Sequence, residues 1–278
     1  MSKGRLQDKV AIVTGSTKGI GEAIATGFAR EGARVVVCGR STDKGETVVK
    51  EITEAGGTAH FVRFDLADEQ SCTGLISKTV EHFGGLDIMV HNAHPTEHTT
   101  GGDAGFGSKL DDMIGNITTK NWHEVNLATY HGMFWILRAT IQHMEAHGGG
   151  SIVNISSMVS LQAMLGVDIH TATKGAMNAL TRSIAIEYGK KNIRCNAIVV
   201  GLVAGIGSGT ALLAADPVIG PQMASAVVTD RLGLPEDLVG PALFFASDDS
   251  WYVTGQCLGA DGGMSVKMFL PNFEAATA

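Results

Sequence analysis

The stretch Val10-Ala-Ile-Val-Thr-Gly-Ser-Thr-Lys-Gly-Ile-Gly-Glu-Ala-Ile-Ala-Thr-Gly-Phe-Ala-Arg30 decides the fold, because it runs from an apolar strand through a glycine turn into a helix. A helix N-terminus presents unpaired backbone N–H groups and a partial positive charge, so it suits a phosphate group. Gly15 can adopt a turn conformation closed to other residues, and Gly19 has no Cβ to hold a pyrophosphate away. Gly21 lets the helix lie close to the strand. The G-x-x-x-G-x-G spacing in this context predicts a dinucleotide-binding turn rather than an ordinary βα connection.

The length of 278 residues allows one large α/β domain or two small ones, and since no linker divides the sequence a single domain over residues 1–278 is predicted. Of the 278 residues 44% are hydrophobic, and 36 glycines against 6 prolines indicate many tight turns. The formal net charge is −7 and no long basic run is present, which argues against a nucleic-acid partner. No apolar run reaches the roughly 18 residues that a membrane span needs, so no membrane association is expected.

The cysteines and the first residues favour a cytoplasmic protein. Cys38, Cys72, Cys195 and Cys257 are scattered without C-x-x-C spacing and are interpreted as small buried residues in a reducing compartment. The residues before Val10 lead straight into the first apolar run, so no signal peptide is expected.

Apolar runs alternate with helical patterns along the chain. Strands are predicted at Val10–Val13, Arg34–Cys38, Ala59–Phe64, Leu86–His91, Gly150–Ile155, Ile193–Val199 and Gln256–Gly259. Helices are predicted at Glu22–Glu31, Thr42–Ala55, Glu69–Phe83, Asn121–His147, Thr171–Gly189 and Pro235–Ala246, with C′ glycines at Gly32, Gly56, Gly84 and Gly189. This alternation, without repeat or linker, predicts a Rossmann-type doubly wound parallel sheet of about seven strands with helices on both faces.

Two segments interrupt the alternation, and both leave the carboxyl ends of strands, where open α/β sheets bind ligands. The polar, glycine-rich segment 95–120 is expected beside the cleft, with surface decoration as an equal alternative. The apolar segment 201–232 is interpreted as a lid over the substrate, with surface decoration as the alternative, and residues 264–278 as a C-terminal tail. The lid favours a hydrophobic or cyclic ketone or alcohol over a sugar phosphate, since its apolar side chains include Leu202, Val203, Ile206, Leu212, Leu213, Val218, Ile219 and Met223.

Two cations near the glycine turn bear on the cofactor. Arg40 follows Gly21 by nineteen residues and closes the second strand. An acidic residue near this spacing would bind the ribose 2′-hydroxyl of NAD, whereas an arginine can hold the 2′-phosphate of NADP. Lys18, inside the turn, adds a second cation. The pair predicts NADP(H) in preference to NAD(H); the alternative is that both are solvated turn residues.

The ordered motifs resemble those of the short-chain dehydrogenase/reductase family from about Leu6 to Gly263. The matching segments are Thr14-Gly-Ser-Thr-Lys-Gly-Ile-Gly21, Asp65-Leu66, Asn92-Ala93, Val125-Asn-Leu127, Ile152-Val-Asn-Ile-Ser-Ser157, Arg194-Cys-Asn-Ala-Ile198 and Asp261-Gly-Gly263. The resemblance implies that Asp65 contacts adenine, unless it is a helix cap, and that Asn92-Ala93 borders the adenosine ribose. With the turn and Arg40, the expected cofactor-binding residues are Gly15, Ser16, Thr17, Lys18, Gly19, Ile20, Gly21, Arg40, Ser41, Asp65, Leu66, Asn92, Ala93, Lys174, Gly201 and Val203.

The resemblance also implies a catalytic set of asparagine, serine, tyrosine and lysine. Asn126, Ser157 and Lys174 match three of these positions, but His170 occupies the tyrosine position, four residues before the lysine. The i, i+4 spacing places His170 and Lys174 on one helical face. Asn126, Ser157, His170 and Lys174 are therefore the predicted catalytic residues.

Further departures from the family pattern lie near the expected nicotinamide site. His94 stands where the family has the glycine of Asn-Ala-Gly, and Val200-Gly201 replaces Pro-Gly after the sixth strand. The threonine that usually helps hold the nicotinamide carboxamide is missing, with Ala204-Gly205 in its neighbourhood.

His170 changes the chemistry expected of the site. Histidine has an ordinary pKa of about 6.5 and tyrosine of about 10, and a neighbouring Lys174 ammonium disfavours imidazolium. Neutral imidazole suits a general base for alcohol oxidation better than a general acid for ketone reduction. Three hypotheses stay open: an active NADP(H)-dependent oxidoreductase that uses His170 as its acid and base, a catalytically impaired or engineered Tyr-to-His variant, and a non-catalytic NADP(H)-binding scaffold or regulator.

Other polar clusters are given structural roles. His91, His94 and His98 follow the fourth strand without zinc-ligand spacing, so no metal is predicted and polar cleft lining is preferred. The pairs Asp111-Asp112 and Asp248-Asp249 are interpreted as solvated turns or helix caps.

The run Met133–Leu137 makes its helix apolar nearly all round. Such a helix is expected to pack on the sheet and on another subunit. Family members usually form tetramers through this helix, so the resemblance implies a homotetramer, with a small-molecule carbonyl or alcohol substrate as the other partner.

Overall fold

Seven parallel strands form one sheet in the order β3-β2-β1-β4-β5-β6-β7. The computed structural model describes residues 4–94, 110–205 and 208–268. The strands are β1 (Val10–Thr14), β2 (Arg34–Gly39), β3 (Thr58–Arg63), β4 (Ile88–His91), β5 (Gly150–Ser157), β6 (Ile193–Val200) and β7 (Cys257–Ala260). The predicted Rossmann-type doubly wound sheet is confirmed.

The central strands are continuously apolar because helices cover both faces of the sheet. All five residues of β1 are buried. In the register of the sheet, Ala11 lies opposite Val35 of β2 and opposite Ile88 of β4. The order of the strands therefore reverses between β1 and β4, and this reversal opens a crevice at their carboxyl ends.

Two groups of helices cover the sheet. The helices are α1 (Gly19–Arg30), α2 (Thr42–Glu54), α3 (Glu69–Phe83), α4 (Thr119–Asn126), α5 (Gly132–Ala146), α6 (Asp168–Tyr188), α7 (Gly209–Ala214), α8 (Ile219–Ala226) and α9 (Val239–Ala246). One apolar cluster contains side chains of α1, α2 and α9, and the other contains side chains of α3, α5 and α6. Within the described ranges, none of these helices combines the length and the apolar character needed to cross a membrane.

The sequence predicted one regular helix at Asn121–His147, and this prediction is wrong. α4 ends at Asn126, a π-helical turn spans Leu127–His131, and α5 begins at Gly132. Met133 and Ile136 of α5 are buried against the sheet, whereas Phe134 is 49% exposed. Packing on the sheet is confirmed, and the contact with another subunit stays a prediction.

Several element ends differ from prediction. α1 begins at Gly19 instead of Glu22, so the last two glycines of the turn lie in its first turn, and α6 begins at Asp168 instead of Thr171. The predicted helix Pro235–Ala246 is a 3-10 turn followed by α9, and β5 continues through Ser157. Cys38, Cys72 and Cys195 are buried as predicted, while Cys257 is half-buried.

Three of the four predicted C′ glycines are confirmed. Gly32, Gly56 and Gly84 have φ values of 88°, 86° and 84°, in the left-handed region that glycine adopts without strain. The prediction for Gly189 is wrong, because its φ is −57°. A 3-10 turn follows α6, and Asn192 takes the left-handed conformation instead, at φ 60°.

The segment predicted as a lid contains the short helices α7 and α8. The Ser208 hydroxyl accepts the Ala211 N–H at 3.1 Å and so caps α7. Leu212 and Val218 are 54% and 67% exposed. Ile206 lies outside the described residues, as do residues 95–109 of the loop predicted beside the cleft and residues 269–278 of the tail.

Gly21 and Gly74 provide a matched test of the glycine turn. A Cβ on Gly21 would lie 2.4 Å from the Gly15 carbonyl oxygen, whereas one on Gly74, in α3, would meet nothing within 4 Å. Gly21→Ala should lower the free energy of unfolding by about 1–3 kcal/mol, while Gly74→Ala should raise it by about 0.5–1 kcal/mol. Urea unfolding followed by circular dichroism measures both. Equal effects of the two substitutions would contradict the close approach at Gly21.

Candidate active site

The hydroxyl of Thr14 joins the two strands that border the crevice. It accepts the N–H groups of Asn92 and Ala93, both at 2.9 Å, and donates to the Val90 carbonyl at 3.3 Å. The Asn92 amide donates in return to the carbonyls of Thr14 at 2.9 Å and Gly15 at 3.2 Å. These bonds hold the glycine turn against the connection after β4. Sequence reasoning gave Thr14 no role, although its place directly before the first glycine was a usable signal.

Close backbone approach explains Gly15 and Gly21. Gly15 has φ 65°, and a Cβ there would lie 2.9 Å from Ala93 Cα. A Cβ on Gly21 would also lie 2.6 Å from the Asn92 amide nitrogen. The turn conformation predicted for Gly15 is confirmed. The sequence predicted that Gly21 lets the helix lie close to the strand. In the structure Gly21 lies close to Gly15, directly after the strand, and to Asn92.

The first turn of α1 forms a cradle for an anion. Gly19 has φ 61°, and no described atom lies within 4 Å of where its Cβ would be. Lys18 precedes the helix in extended conformation and makes no capping bond through its side chain, while the Glu22 carboxylate in the first turn accepts the Gly19 N–H. The open space at Gly19, in front of a helix N-terminus, fits the phosphates of a dinucleotide.

The side chain of Ser16 faces the protein interior. Its hydroxyl is fully buried, donates to Val13 O at 2.6 Å and accepts the Cys38 N–H at 3.0 Å. Ser16 thus ties the turn to β2, which contradicts a cofactor contact through its hydroxyl. Thr17 packs beside Gly39 of β2, and the half-buried Ile20 packs on the apolar core.

The residues expected at the adenosine end lie after β2 and β3. Arg40 and Lys18 are exposed, and Ser41 precedes α2 without capping it through its side chain. Asp65 Oδ1 accepts the Ala67 N–H at 3.0 Å. The alternative role of Asp65 as helix cap is wrong, because Asp68 caps α3 by accepting the N–H groups of Gln70 and Ser71.

Leu66 is buried rather than open to the cleft. Its relative exposure is 8%, and a Cβ on Gly132 would lie 2.4 Å from its carbonyl oxygen. Because Gly132 has no Cβ, the start of α5 can lie close to the connection after β3.

Lys174 is a buried cation. It is 5% exposed, and its Nζ donates to the Ile155 carbonyl of β5 at 2.7 Å. Burial lowers the pKa of its ammonium group to about 8. The lysine therefore stays mainly protonated at neutral pH and places a positive charge at the carboxyl end of β5.

Ser157 ends β5, two residues after the carbonyl that Lys174 binds. It is half-buried, and its hydroxyl accepts the Val159 N–H at 3.4 Å. Its carbonyl accepts the Ser160 hydroxyl at 2.5 Å, and Ser160 accepts the amide of Asn178 at 2.7 Å. Because Asn178 lies one turn after Lys174, this chain of bonds fixes Ser157 relative to the lysine.

His170 contacts another histidine. Its Nδ1 lies 2.9 Å from Nε2 of His94, and the ring centroids are 4.6 Å apart at 57°. Burial first, and Lys174 second, lower the pKa of His170 to about 3. The predicted direction of this pKa shift is confirmed, and the ring is neutral across the physiological range.

Asp111 fixes the start of the helix that carries His170. Its carboxylate is 1% exposed and accepts the N–H groups of Ile169 and His170, both at 2.9 Å. A distant carboxylate thereby caps α6 and extends it to Asp168. Of the two roles predicted for Asp111, the cap is confirmed and the solvated turn is wrong.

The other acidic residues of these pairs lie nearer the surface. Asp112 Oδ1 accepts its neighbour's N–H, that of Met113, at 2.6 Å. Asp249 pairs with Arg5 at 2.8 Å and is exposed. Neither residue lies in the candidate site.

Asn126 lies at the junction of α4 and the π-turn. Its amide donates to the Trp122 carbonyl of its own helix at 2.8 Å. One turn further, the hydroxyls of Thr129 and Thr173 are 3.3 Å apart, so this junction packs against α6. A role for Asn126 next to Lys174 stays a prediction.

Gly201 and Val203 lie between β6 and the lid. A Cβ on Gly201 would lie 2.6 Å from Asp261 Cα, and the Gly201 N–H donates to Ala260 O at 3.1 Å. Val203 forms a bridge with Gly233, and the Ala204 N–H donates to Gly233 O at 2.8 Å. These contacts hold the start of the lid segment; contact of Gly201 and Val203 with a cofactor stays a prediction.

The three histidines at and after the end of β4 do not share one environment. His91 is 2% exposed and its Nδ1 has no partner among the described atoms. Burial, and then Lys174, lower its pKa to about 3. Cleft lining is therefore wrong for His91, His94 contacts His170, and His98 lies outside the described residues. No cluster able to hold a metal ion occurs in the part of the chain that is described.

Comparison with known proteins agrees with the motifs and the sheet. The family model described as enoyl-(acyl carrier protein) reductase, of the short-chain dehydrogenase/reductase type, matches residues 15–265. The chain belongs to the short-chain dehydrogenase/reductase family. It is accordingly an NAD(P)-dependent oxidoreductase of this family.

Its relatives act on different alcohols. The chain is 37% identical over 262 residues to a 7α-hydroxysteroid dehydrogenase of Clostridium sardiniense, covering 94% of this chain and 95% of that one. It resembles a 7α-hydroxysteroid dehydrogenase complexed with NADH and 7-oxo glycochenodeoxycholic acid (TM-score 0.82, 30% identity, 93% and 95% covered). It also resembles a gluconate 5-dehydrogenase of Burkholderia cenocepacia in complex with NADP and tartrate (TM-score 0.83, 28% identity, 96% and 98% covered).

The buried histidines predict a loss of stability in mild acid. The pKa values of His91 and His170 are below the unfolded value, so the unfolded chain binds more protons and the free energy of unfolding falls as the pH drops from about 6.5 to about 5. His91→Gln should make this fall shallower by at most about 1.4 kcal/mol per pH unit.

Urea unfolding at a series of pH values measures the slope. Gly74→Ala is the control, because it should shift the whole curve without changing its slope. Identical slopes for the wild type and His91→Gln would show that His91 is not a buried neutral group.

Proposed function

We propose that the protein is an NADP(H)-dependent dehydrogenase/reductase that interconverts a hydrophobic or cyclic ketone and its secondary alcohol. Three contacts support the proposal: Lys174 binds the Ile155 carbonyl two residues before Ser157, the charge of Lys174 acts on His170, and His170 contacts His94 at the β1–β4 crevice. The cradle at Gly19 lies at the β1 side of that crevice. Cofactor and substrate therefore have adjoining places in one cleft.

When bound, the nicotinamide cofactor supplies the hydride acceptor for oxidation or the donor for reduction. The glycine turn and the N-terminus of α1 would hold its pyrophosphate, and Arg40 and Lys18 the 2′-phosphate. Ser157 would bind the oxygen of the reacting carbon through its hydroxyl. The buried ammonium of Lys174 would stabilise negative charge on that oxygen and hold the cofactor ribose.

His170 is suited to remove a proton from the alcohol. Its ring is neutral because burial and Lys174 keep its pKa at about 3. A neutral imidazole accepts the hydroxyl proton while the carbon gives up its hydride. Because a pKa of about 3 also makes His170 a weak base on its own, the proton it accepts must be passed on for oxidation to run at neutral pH.

The exposed apolar side chains of the lid segment support a hydrophobic or cyclic substrate. Leu212, Val218 and Ile219 are 54%, 67% and 38% exposed, and a protein leaves such side chains accessible where an apolar ligand or surface covers them. A related dehydrogenase that acts on hydroxysteroids points the same way. Reduction of NADP⁺ with 7α-hydroxysteroids and cyclohexanol, against gluconate as the polar comparison, tests the substrate class; turnover of gluconate alone would overturn it.

The exposed apolar residues of the α4–α5 region support assembly as a homotetramer. Leu127, Tyr130 and Phe134 are 43%, 46% and 49% exposed. A second copy packing there would bury them. Light scattering coupled to gel filtration measures the assembly, and a monomer at micromolar concentration would contradict it.

Arg40→Asp tests the cofactor preference. The substitution replaces a partner of the 2′-phosphate by a group that repels it, so the ratio of kcat/KM for NADP⁺ to that for NAD⁺ should fall about 10- to 100-fold. Lys78→Asp makes the same charge change on the exposed side of α3 and serves as control. An unchanged ratio in Arg40→Asp would show that the 2′-phosphate is held elsewhere.

His170→Tyr tests the identity of the base. A phenol with a pKa of about 10 must ionise before it accepts a proton, whereas a neutral imidazole is already a base. The rate of alcohol oxidation at pH 6 relative to pH 9 should therefore be larger in the wild type than in His170→Tyr. If His170→Tyr raised kcat/KM by orders of magnitude at every pH, the protein would be a catalytically impaired variant. If both proteins bound the cofactor without turning over substrate, the protein would be a non-catalytic scaffold.

A further inference from the structure

His94 and His170 come from elements far apart in the sequence and meet in the cleft. His94 follows β4, His170 lies in the first turn of α6, and their ring nitrogens are 2.9 Å apart. Both positions depart from the family pattern, which has glycine and tyrosine there. The two residues that differ from the family pattern are therefore in direct contact with each other.

Only one hydrogen can lie between the two nitrogens, so the tautomers of the rings are coupled. If Nδ1–H of His170 donates to His94, Nε2 of His170 is bare and can accept a proton. If Nε2–H of His94 donates to His170, Nε2 of His170 carries a hydrogen and can give it away. The pair therefore has a basic and an acidic arrangement, and His170 is neutral in both.

This coupling solves an electrostatic difficulty of the site. The groups around His170 among the described residues are Lys174 from α6, Asp111 from the segment before α6 and His94 from the connection after β4. The neutral His91 of β4 is acted on by the same lysine. The Asp111 carboxylate is occupied by backbone N–H groups and holds the ring in place rather than pairing with it. A proton that stayed on His170 would form an imidazolium beside the buried lysine.

We propose that His94 is a proton-relay and positioning residue, which passes the substrate proton between His170 and solvent. The inference rests on the proposed function. In oxidation, the alcohol O–H bond breaks and its proton binds Nε2 of His170, while the Nδ1 proton of His170 moves to Nε2 of His94. The hydride of the carbinol carbon would pass to the oxidised nicotinamide cofactor, which is the two-electron acceptor when bound. The half-buried His94 then carries the positive charge and releases a proton to solvent. Reduction runs through the same bonds in reverse.

A double-mutant cycle tests the relay. His94→Gly and His94→Gln, which can still accept a hydrogen bond but cannot pass a proton on, are each made in the wild type and in the His170→Tyr background. Oxidation of cyclohexanol and of a 7α-hydroxysteroid by NADP⁺ gives kcat and KM. In the wild type both substitutions should lower kcat about 10²-fold with little change in KM.

In the His170→Tyr background His94→Gly should have no cost, since a tyrosine needs no second ring. Equal losses in both backgrounds would overturn the relay and leave the proposed function standing. Turnover in neither background would overturn both. His123→Gln, an exposed histidine on α4, is the control.

A second readout needs no substrate. In ¹⁵N-labelled protein, the chemical shifts of the two ring nitrogens of His170 report the ratio of its two neutral tautomers. His94→Gly should change this ratio at pH 7, because the hydrogen bond between the rings is lost. His94→Gln should restore part of it. An unchanged His170 spectrum in His94→Gly would show that the two rings share no hydrogen bond and would overturn the proposal irrespective of activity.

Discussion

Lys174 holds a positive charge inside the protein, and the rest of the site is arranged around that charge. A buried ammonium is costly unless it is hydrogen-bonded, and the Ile155 carbonyl at 2.7 Å supplies one bond. Burial first, and this charge second, disfavour protonation of the rings of His91 and His170, so both are neutral. Lys174, His91 and His170 together therefore carry about one positive charge. This limits how a proton can pass through the cleft.

The supports of the site come from residues that take no part in the chemistry. Thr14 and Asn92 bind the glycine turn to the connection after β4, and Asp111 binds the start of α6. Ser160 and Asn178 hold the end of β5. Each support uses a polar side chain to satisfy backbone groups at the end of a strand or helix, which is where parallel sheets leave such groups unpaired. These side chains complete the backbone hydrogen bonds around the cleft.

Local sequence patterns were sufficient for the fold and for the glycine turn. Alternating apolar runs predicted the sheet, and Gly15 has the turn conformation that its position required. Patterns failed where a distant residue decides a local feature. α6 begins three residues early because Asp111, nearly sixty residues before it, caps its N-terminus. Likewise, the burial of His91 and the contact of His94 with His170 depend on which strands and helices become neighbours, and no spacing in the sequence encodes that.

The π-turn at Leu127–His131 also governs how the chain tolerates changes in length. It holds one residue more than a regular helix would need, and each residue of an α-helix advances the direction of a side chain by about 100°. Deleting one residue there would let α4 and α5 merge into a regular helix and would turn the face that carries Asn126 away from its present direction, while also separating Thr129 from Thr173. A change of one residue in the length of this short stretch therefore alters the site, whereas a substitution on the exposed side of α4 or α5 keeps the register of both helices.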